Sequence, residues 1–170
     1  MKIINLSEKN SLLNSYIAEI RDVVIQKESM RFRRNLERIG EIFAYEISKT
    51  LTYSPKEVET PLGIANCNLS NDKIVLSTIL RAGLPLHQGL LNYFDKAENS
   101  FIAAYRKYGK DNKFSIQLEY ASTPSVENKI VIISDPMLAT GASAVLAYDR
   151  LLESGTPIHT HFVCPVASKY

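Results

Sequence analysis

The chain reads as an α/β protein: a parallel sheet flanked by helices, with an N-terminal helical segment and an antiparallel hairpin or arm. Three observations predict this class. Short unbroken apolar runs at Ile74 to Leu80, Phe101 to Ala104, Ile130 to Ile133 and Phe162 to Val166 suit strands buried on both faces. Two of these runs lead through a Gly-containing loop into a helical pattern, the order of crossover connections. The first third shows helical spacing instead. At 170 residues the chain makes one domain, 1–170, able to bury roughly 70% of its unfolded surface.

The elements follow in order. Leu12, Leu13, Ile17 and Ile20 recur at helical spacing after an Asn10-Ser11 start signal. A second helix is expected from about Glu28 to Leu51, with Leu36, Ile39, Phe43 and Ile47 as its stripe. Its Arg31, Arg33, Arg34 and Arg38 are balanced by acids: residues 28 to 50 carry five positive and four negative side chains. A solvated face with internal ion pairs is the simpler reading, phosphate or nucleic-acid contact the other. Lys56 to Cys67 alternates around Thr60-Pro61-Leu62-Gly63, a hairpin pattern, and Phe114 to Tyr120 alternates as a half-exposed strand. Crossover helices are expected over Pro85 to Phe94 and Ser143 to Glu153, the latter stopped by Gly155 and Pro157.

Composition narrows the function. Lys and Arg number 20 and Asp and Glu 18, so the net charge is +2, too small for nucleic acid or an anionic membrane as main partner. The two cysteines, Cys67 and Cys164, have no metal or redox spacing, which fits a reduced cytoplasmic setting. The first residues turn polar by Ser7, and no run of 18 apolar residues occurs, so neither a signal peptide nor a membrane span is expected.

In parallel sheets ligands bind at the carboxyl ends of strands, so the loops there carry the functional signal. The first is Asp135-Pro136-Met137-Leu138-Ala139-Thr140-Gly141-Ala142-Ser143. Gly141 allows a tight turn, and the following helix offers free N–H groups and a positive dipole end to an anion. Thr140 and Ser143 add hydroxyls. Asp135 at the strand end can accept from vicinal sugar hydroxyls or hold a hydrated Mg²⁺. A carboxylate beside a phosphate cradle points to a sugar phosphate. No Lys follows Gly141, which excludes a Walker loop, and a single glycine excludes a dinucleotide fingerprint. A purely structural Asp-Pro turn remains the alternative.

The second loop is Arg81-Ala82-Gly83, followed by a helix with Pro85 in its first turn. Arg81 can grip diphosphate oxygens in bidentate fashion, and Gly83 permits close backbone approach. A third segment, Tyr105 to Lys113, is basic and polar. It reads either as a mobile loop closing over a diphosphate or as an exposed hairpin tip. Among other candidates, His159 and His161 share one strand face without an evident third metal ligand, and His87 has no evident partner.

These residues resemble the uracil phosphoribosyltransferase family over nearly the whole chain. Asp135-Pro136-Met137-Leu138-Ala139-Thr140-Gly141-x-Ser143 is similar to its phosphoribosyl-diphosphate (PRPP) motif, and the Asp-Pro-Met-Leu opening to its uracil branch. Ile79-Leu80-Arg81-Ala82-Gly83-Leu84 resembles its pyrophosphate loop and Tyr105-Arg106 its flexible-loop pair. Arg31-Phe32-Arg33, Tyr45-Glu46 and the Thr60-Pro61 hairpin fit as well. Two departures stand out. Ala142 replaces the family's usual glycine. Family members also run on past the equivalent of Tyr170 into a tail that recognises uracil.

The resemblance implies transfer of the phosphoribosyl group from PRPP to uracil, giving UMP and pyrophosphate. It implies Mg²⁺ carried by PRPP and water rather than by direct protein ligands. It assigns the 5-phosphate to residues 140–143, the ribose hydroxyls to Asp135 and the pyrophosphate to Arg81 and the Ala82-Gly83 backbone, with Arg106 closing over it. Asp135, Arg81 and Arg106 are then the catalytic expectations. A homodimer or higher homo-oligomer, and GTP as an effector in some relatives, are also implied. The alternative is a non-catalytic PRPP- or nucleotide-binding form, regulatory or truncated.

Overall fold

The computed structural model describes residues 2–108 and 114–168, with residues 105–108 and 114–118 described as backbone only. Helix α1 spans Leu12–Arg21, capped by Ser11, whose hydroxyl accepts from the Leu13 N–H at 3.3 Å. Leu13 and Ile20 are buried, while Leu12 faces solvent, so the apolar stripe is narrower than its four expected members. Helix α2 spans Ser29–Ser48 and buries all four expected residues, Leu36, Ile39, Phe43 and Ile47. Its arginines behave as a solvated face. Arg31 pairs with Glu19 of α1 at 2.6 Å, Arg34 pairs with Glu37 at 2.6 Å, and Arg38 lies over the Tyr16 ring.

Strands β1 (Tyr53–Thr60) and β2 (Gly63–Ser70) form an antiparallel hairpin closed by Pro61-Leu62, longer at both ends than its alternation suggested. Then comes the central sheet: β3 (Ile74–Leu80), β4 (Glu98–Tyr108), β5 (Phe114–Ser122), β6 (Ile130–Ser134) and β8 (His159–Val163), in spatial order β5-β4-β3-β6-β8. The β4-β3-β6-β8 part is parallel, and β5 runs antiparallel to β4 at the edge. Helix α3 (Leu84–Leu91) crosses from β3 to β4, and α4 (Ala142–Leu152) from β6 towards β8. Two short strands, β7 (Met137–Leu138) and β9 (Val166–Ala167), pair in parallel beside the main sheet.

Alternation along the strands feeds two cores, as burial on both faces requires. Leu76 and Ile132 meet α1, α2 and α3, whereas Val75, Ile79, Val131 and Ile133 meet Ala147 and Leu151 of α4. Three expectations are corrected here. The last strand is His159–Val163, not Phe162 to Val166, because pairing with β6 ends at Val163 and Pro165 has no N–H to extend a ladder. The backbone of Tyr105 and Arg106 lies within paired β4, Arg106 opposite Ile116, so the strand runs on past Ala104 and this part follows the hairpin alternative. The side chain of Arg106, its expected closing role and residues 109–113 lie outside the described part. His87 does have a partner: it is buried in α3 with Nε2 2.7 Å from Asn99 Oδ1.

Candidate active site

The connections out of the sheet diverge at one point. From β3 the chain crosses by α3 to β4 on one side; from β6 it crosses by α4 to β8 on the other. Because β3 and β6 are adjacent and parallel, a crevice opens beyond their carboxyl ends, where ligands bind in open α/β sheets. Thr78 stands opposite Ser134 in this pair. The loops beginning at Arg81 and Asp135 therefore leave neighbouring strands, about 4.8 Å apart in the hydrogen-bonding direction. These are the two loops that the sequence singled out.

On the β6 side, Asp135 is half-buried and its N–H donates to Val163 O at 3.1 Å. Burial pushes its carboxyl above the usual range, and the Met137 N–H, which donates to Oδ1 at 3.5 Å, opposes that shift. Gly141 has φ +78°, a left-handed turn that glycine adopts without strain. Ala142 is the first residue of α4, a helical position where its methyl group is tolerated. Among the described residues the N–H groups of Thr140, Gly141, Ser143 and Ala144 have no protein acceptor. They line a concavity of about 50 Å³ with Asp135, Met137, Leu138 and Ala139. Unclaimed amides at a helix start with a carboxylate at the rim suit an anionic ester bearing hydroxyls. Pro136, within the same loop, does not line it.

On the β3 side, Arg81 and Ala82 are exposed and Gly83 is buried. The Arg81 guanidinium, a fork of five donors, has no acid partner among the described residues. Its peptide bond with Leu80 is cis. A Cβ on Gly83 would collide with the Thr78 hydroxyl and come within 2.8 Å of Ile79 O, so the loop folds back tightly over its strand. Thr78 Oγ1 in turn donates to Ser134 O at 3.3 Å, tying the two loops together beneath the crevice.

A family model described as uracil phosphoribosyltransferase matches residues 7–170. This chain belongs to the uracil phosphoribosyltransferase family. A uracil phosphoribosyltransferase from Porphyromonas gingivalis is 54% identical over 99% of this chain and 78% of its own length. One from Methanothermobacter thermautotrophicus is 40% identical over 76% of this chain and 60% of its own. The AQ2163 protein of Aquifex aeolicus has a similar structure, with TM-score 0.76 and 25% identity, covering 94% of this chain and 85% of that one. A hypoxanthine phosphoribosyltransferase from Staphylococcus aureus, at 15% identity and TM-score 0.55 over 91% of this chain and 70% of its own, shares the fold.

In this member of the uracil phosphoribosyltransferase family, Asp135 and Met137 to Ser143 share one concavity, while Arg81 and Gly83 sit on the loop that leaves the neighbouring strand β3. What the sequence reading missed is the segment behind the Asp135 loop. Val163 accepts from Asp135 N–H, β9 pairs with β7, and Ser168 bonds the same loop twice. Cys164 receives the Leu138 N–H, and burial followed by the nearby Asp135 carboxylate pushes its thiol up. Pro165, which must end the apolar run, was the available signal. A larger concavity of about 300 Å³ lies at the base of the hairpin, beside Tyr53, Asp72, Ile74 and Tyr93. Ile74 opens β3, so this hollow sits at the opposite end of the strand from the Arg81 loop.

Proposed function

We propose that this chain transfers the 5-phosphoribosyl group of PRPP to uracil, yielding UMP and pyrophosphate. The observation that carries the reading is the pairing, at one switch point, of a concavity rimmed by Asp135 with a loop presenting Arg81, which has no acid partner among the described residues. The 5-phosphate takes the free amides of Thr140, Gly141, Ser143 and Ala144 and the Thr140 and Ser143 hydroxyls. Asp135 accepts from the ribose hydroxyls. Arg81 and the Ala82-Gly83 backbone hold the diphosphate. The bond from the anomeric carbon to the diphosphate oxygen breaks as the bond to the uracil nitrogen forms, and the proton lost from that nitrogen passes to water or to the departing diphosphate. Positive charge develops on the sugar in between, as in glycoside hydrolysis. Positioning and charge stabilisation supply the rate, without a protein nucleophile.

Mg²⁺ supplies charge neutralisation on the leaving diphosphate when bound. The donor set at the mouth is one carboxylate, Asp135, flanked by backbone amides and hydroxyls. That set fits a hydrated cation arriving on PRPP, with Asp135 meeting its water shell. The free thiols of Cys67 and Cys164 support a reduced, cytoplasmic setting. A homo-oligomer is supported by the β1-β2 hairpin, a separate two-stranded sheet with Leu62 and Ile64 exposed at its tip. Such hairpins are marginal alone, and a second copy would cover this one. Sedimentation of wild type and Leu62→Asp tests that: a stable monomer in both would end the idea.

The activity test is incubation with Mg²⁺, PRPP and a panel of nucleobases, with products separated by chromatography. UMP from uracil alone is the expected result. Binding of PRPP without product from any base would replace this reading with the non-catalytic PRPP-binding one. Adding GTP to the same assay tests it as an effector.

A further inference from the structure

We infer that Ser168 is a positioning residue for the phosphate loop, acting from behind it by holding two consecutive carbonyl groups. The inference rests on the phosphate-site reading above and names the part of the chain that keeps that site in shape. Ser168 N–H donates to Leu138 O at 2.9 Å, and Ser168 Oγ donates to Ala139 O at 2.7 Å. The contact is anchored by the pairing of Met137 with Val166 and Leu138 with Ala167 immediately before it. Ser168 is absent from the lining of the concavity, whereas Leu138, Ala139 and Thr140 all contribute to it.

Peptide planarity turns this contact into an aiming device. In a trans peptide the carbonyl of one residue and the N–H of the next point in opposite directions. Fixing Ala139 O towards Ser168 therefore turns the Thr140 N–H away from Ser168, towards the concavity. Fixing Leu138 O does the same for the Ala139 N–H. The Thr140 N–H is one of the amides assigned to the phosphate, so its orientation bears directly on what the loop offers. An unpinned loop would have to order its own carbonyls at the moment of binding, at a cost to affinity.

The test compares wild type, Ser168→Ala and Ser168→Thr in the full-length protein. Ser168→Ala removes the side-chain bond and leaves the N–H bond. The expected result is a KM for PRPP raised about 3- to 10-fold, the loss of one ordinary hydrogen bond. The KM for uracil and the melting temperature should stay at wild-type values, since Ser168 is exposed, and Ser168→Thr should restore the PRPP KM. A PRPP KM within twofold of wild type in Ser168→Ala overturns the proposal, and so do equal changes in both KM values. Calorimetric binding of ribose 5-phosphate by the same three proteins needs no turnover and gives a second reading. Weaker binding by Ser168→Ala supports the positioning role, and equal binding refutes it. Wild type that binds ribose 5-phosphate but makes no UMP would sink the activity while leaving this role standing. Wild type that does not bind it would overturn the role as well.

Discussion

Asp135 is held at the crevice against its own solvation. Burial raises its carboxyl above the ordinary value of about 3.9, and one long backbone contact gives little back. The folded state therefore binds more protons than the unfolded chain between that ordinary value and the raised one. Stability from this group falls as pH rises through that window. Asp135→Asn should remove the deficit, so its melting temperature should exceed wild type at neutral pH and approach it in acid. The same variant should lose turnover by on the order of 100-fold, since the acceptor proposed for the ribose hydroxyls loses its charge. A variant that melts as wild type does at every pH, or turns over normally, contradicts the assignment. Arg81→Ala should raise the KM for PRPP by roughly 10- to 100-fold, the range for a hydrogen bond to a charged group. Arg81→Lys should recover only part, lacking the fork. An unchanged PRPP KM in Arg81→Ala would remove Arg81 from the site.

At the scale of elements, α3 is placed by how closely it crosses α2. A Cβ on Gly89 would overlap the Glu37 carbonyl group, with the carbonyl carbon only 2.8 Å away, and one on Gly40 would come within 3.1 Å of the Gly89 Cα. Gly89→Ala gains about 1 kcal/mol of helix propensity. Forcing two backbones apart costs about 1–3 kcal/mol, because no side chain can swing aside. The clash should win, and thermal melting should show Gly89→Ala less stable than wild type; a raised melting temperature would mean that the helices separate freely. The same scale separates what the residue pattern reveals from what it hides. The stripe of α2 and the fully buried run of β6 are legible because each repeats one period against one core. Strands β7 and β9, two residues each, have no room for a period and exist only because they pair with each other. The end of β8 was misplaced for a related reason: apolar residues continue through Val166, but the Pro165 nitrogen has no hydrogen to donate to a ladder.

For the whole molecule, the site belongs to topology more than to any segment. Residues 81–83 and 135–143 each looked like a ligand loop in isolation, yet only the strand order sets them side by side. That order was open at the sequence level, since the apolar runs of a parallel sheet are interchangeable. The ties behind the site were equally hidden: Thr78 to Ser134 and Ser168 to Ala139 are hydroxyl-to-carbonyl bonds between distant parts of the chain. Common residue types in those roles carry no local signature.

The bond from Thr78 to Ser134 spans 56 positions in the chain, with α3, β4 and β5 between its ends. Closing so long a parallel pairing comes late in folding, because its entropy is lost before its contacts form. Helices α1 and α2 are joined by a short link and can form within themselves. The molecule should thus become helical before it becomes competent. In refolding followed by circular dichroism and by ribose 5-phosphate capture, helical signal should return first and capture last. Capture returning with the earliest helical signal would show that the crevice is prefigured in the unfolded chain. Otherwise a newly made chain passes through a helical interval with nothing to hold its substrate.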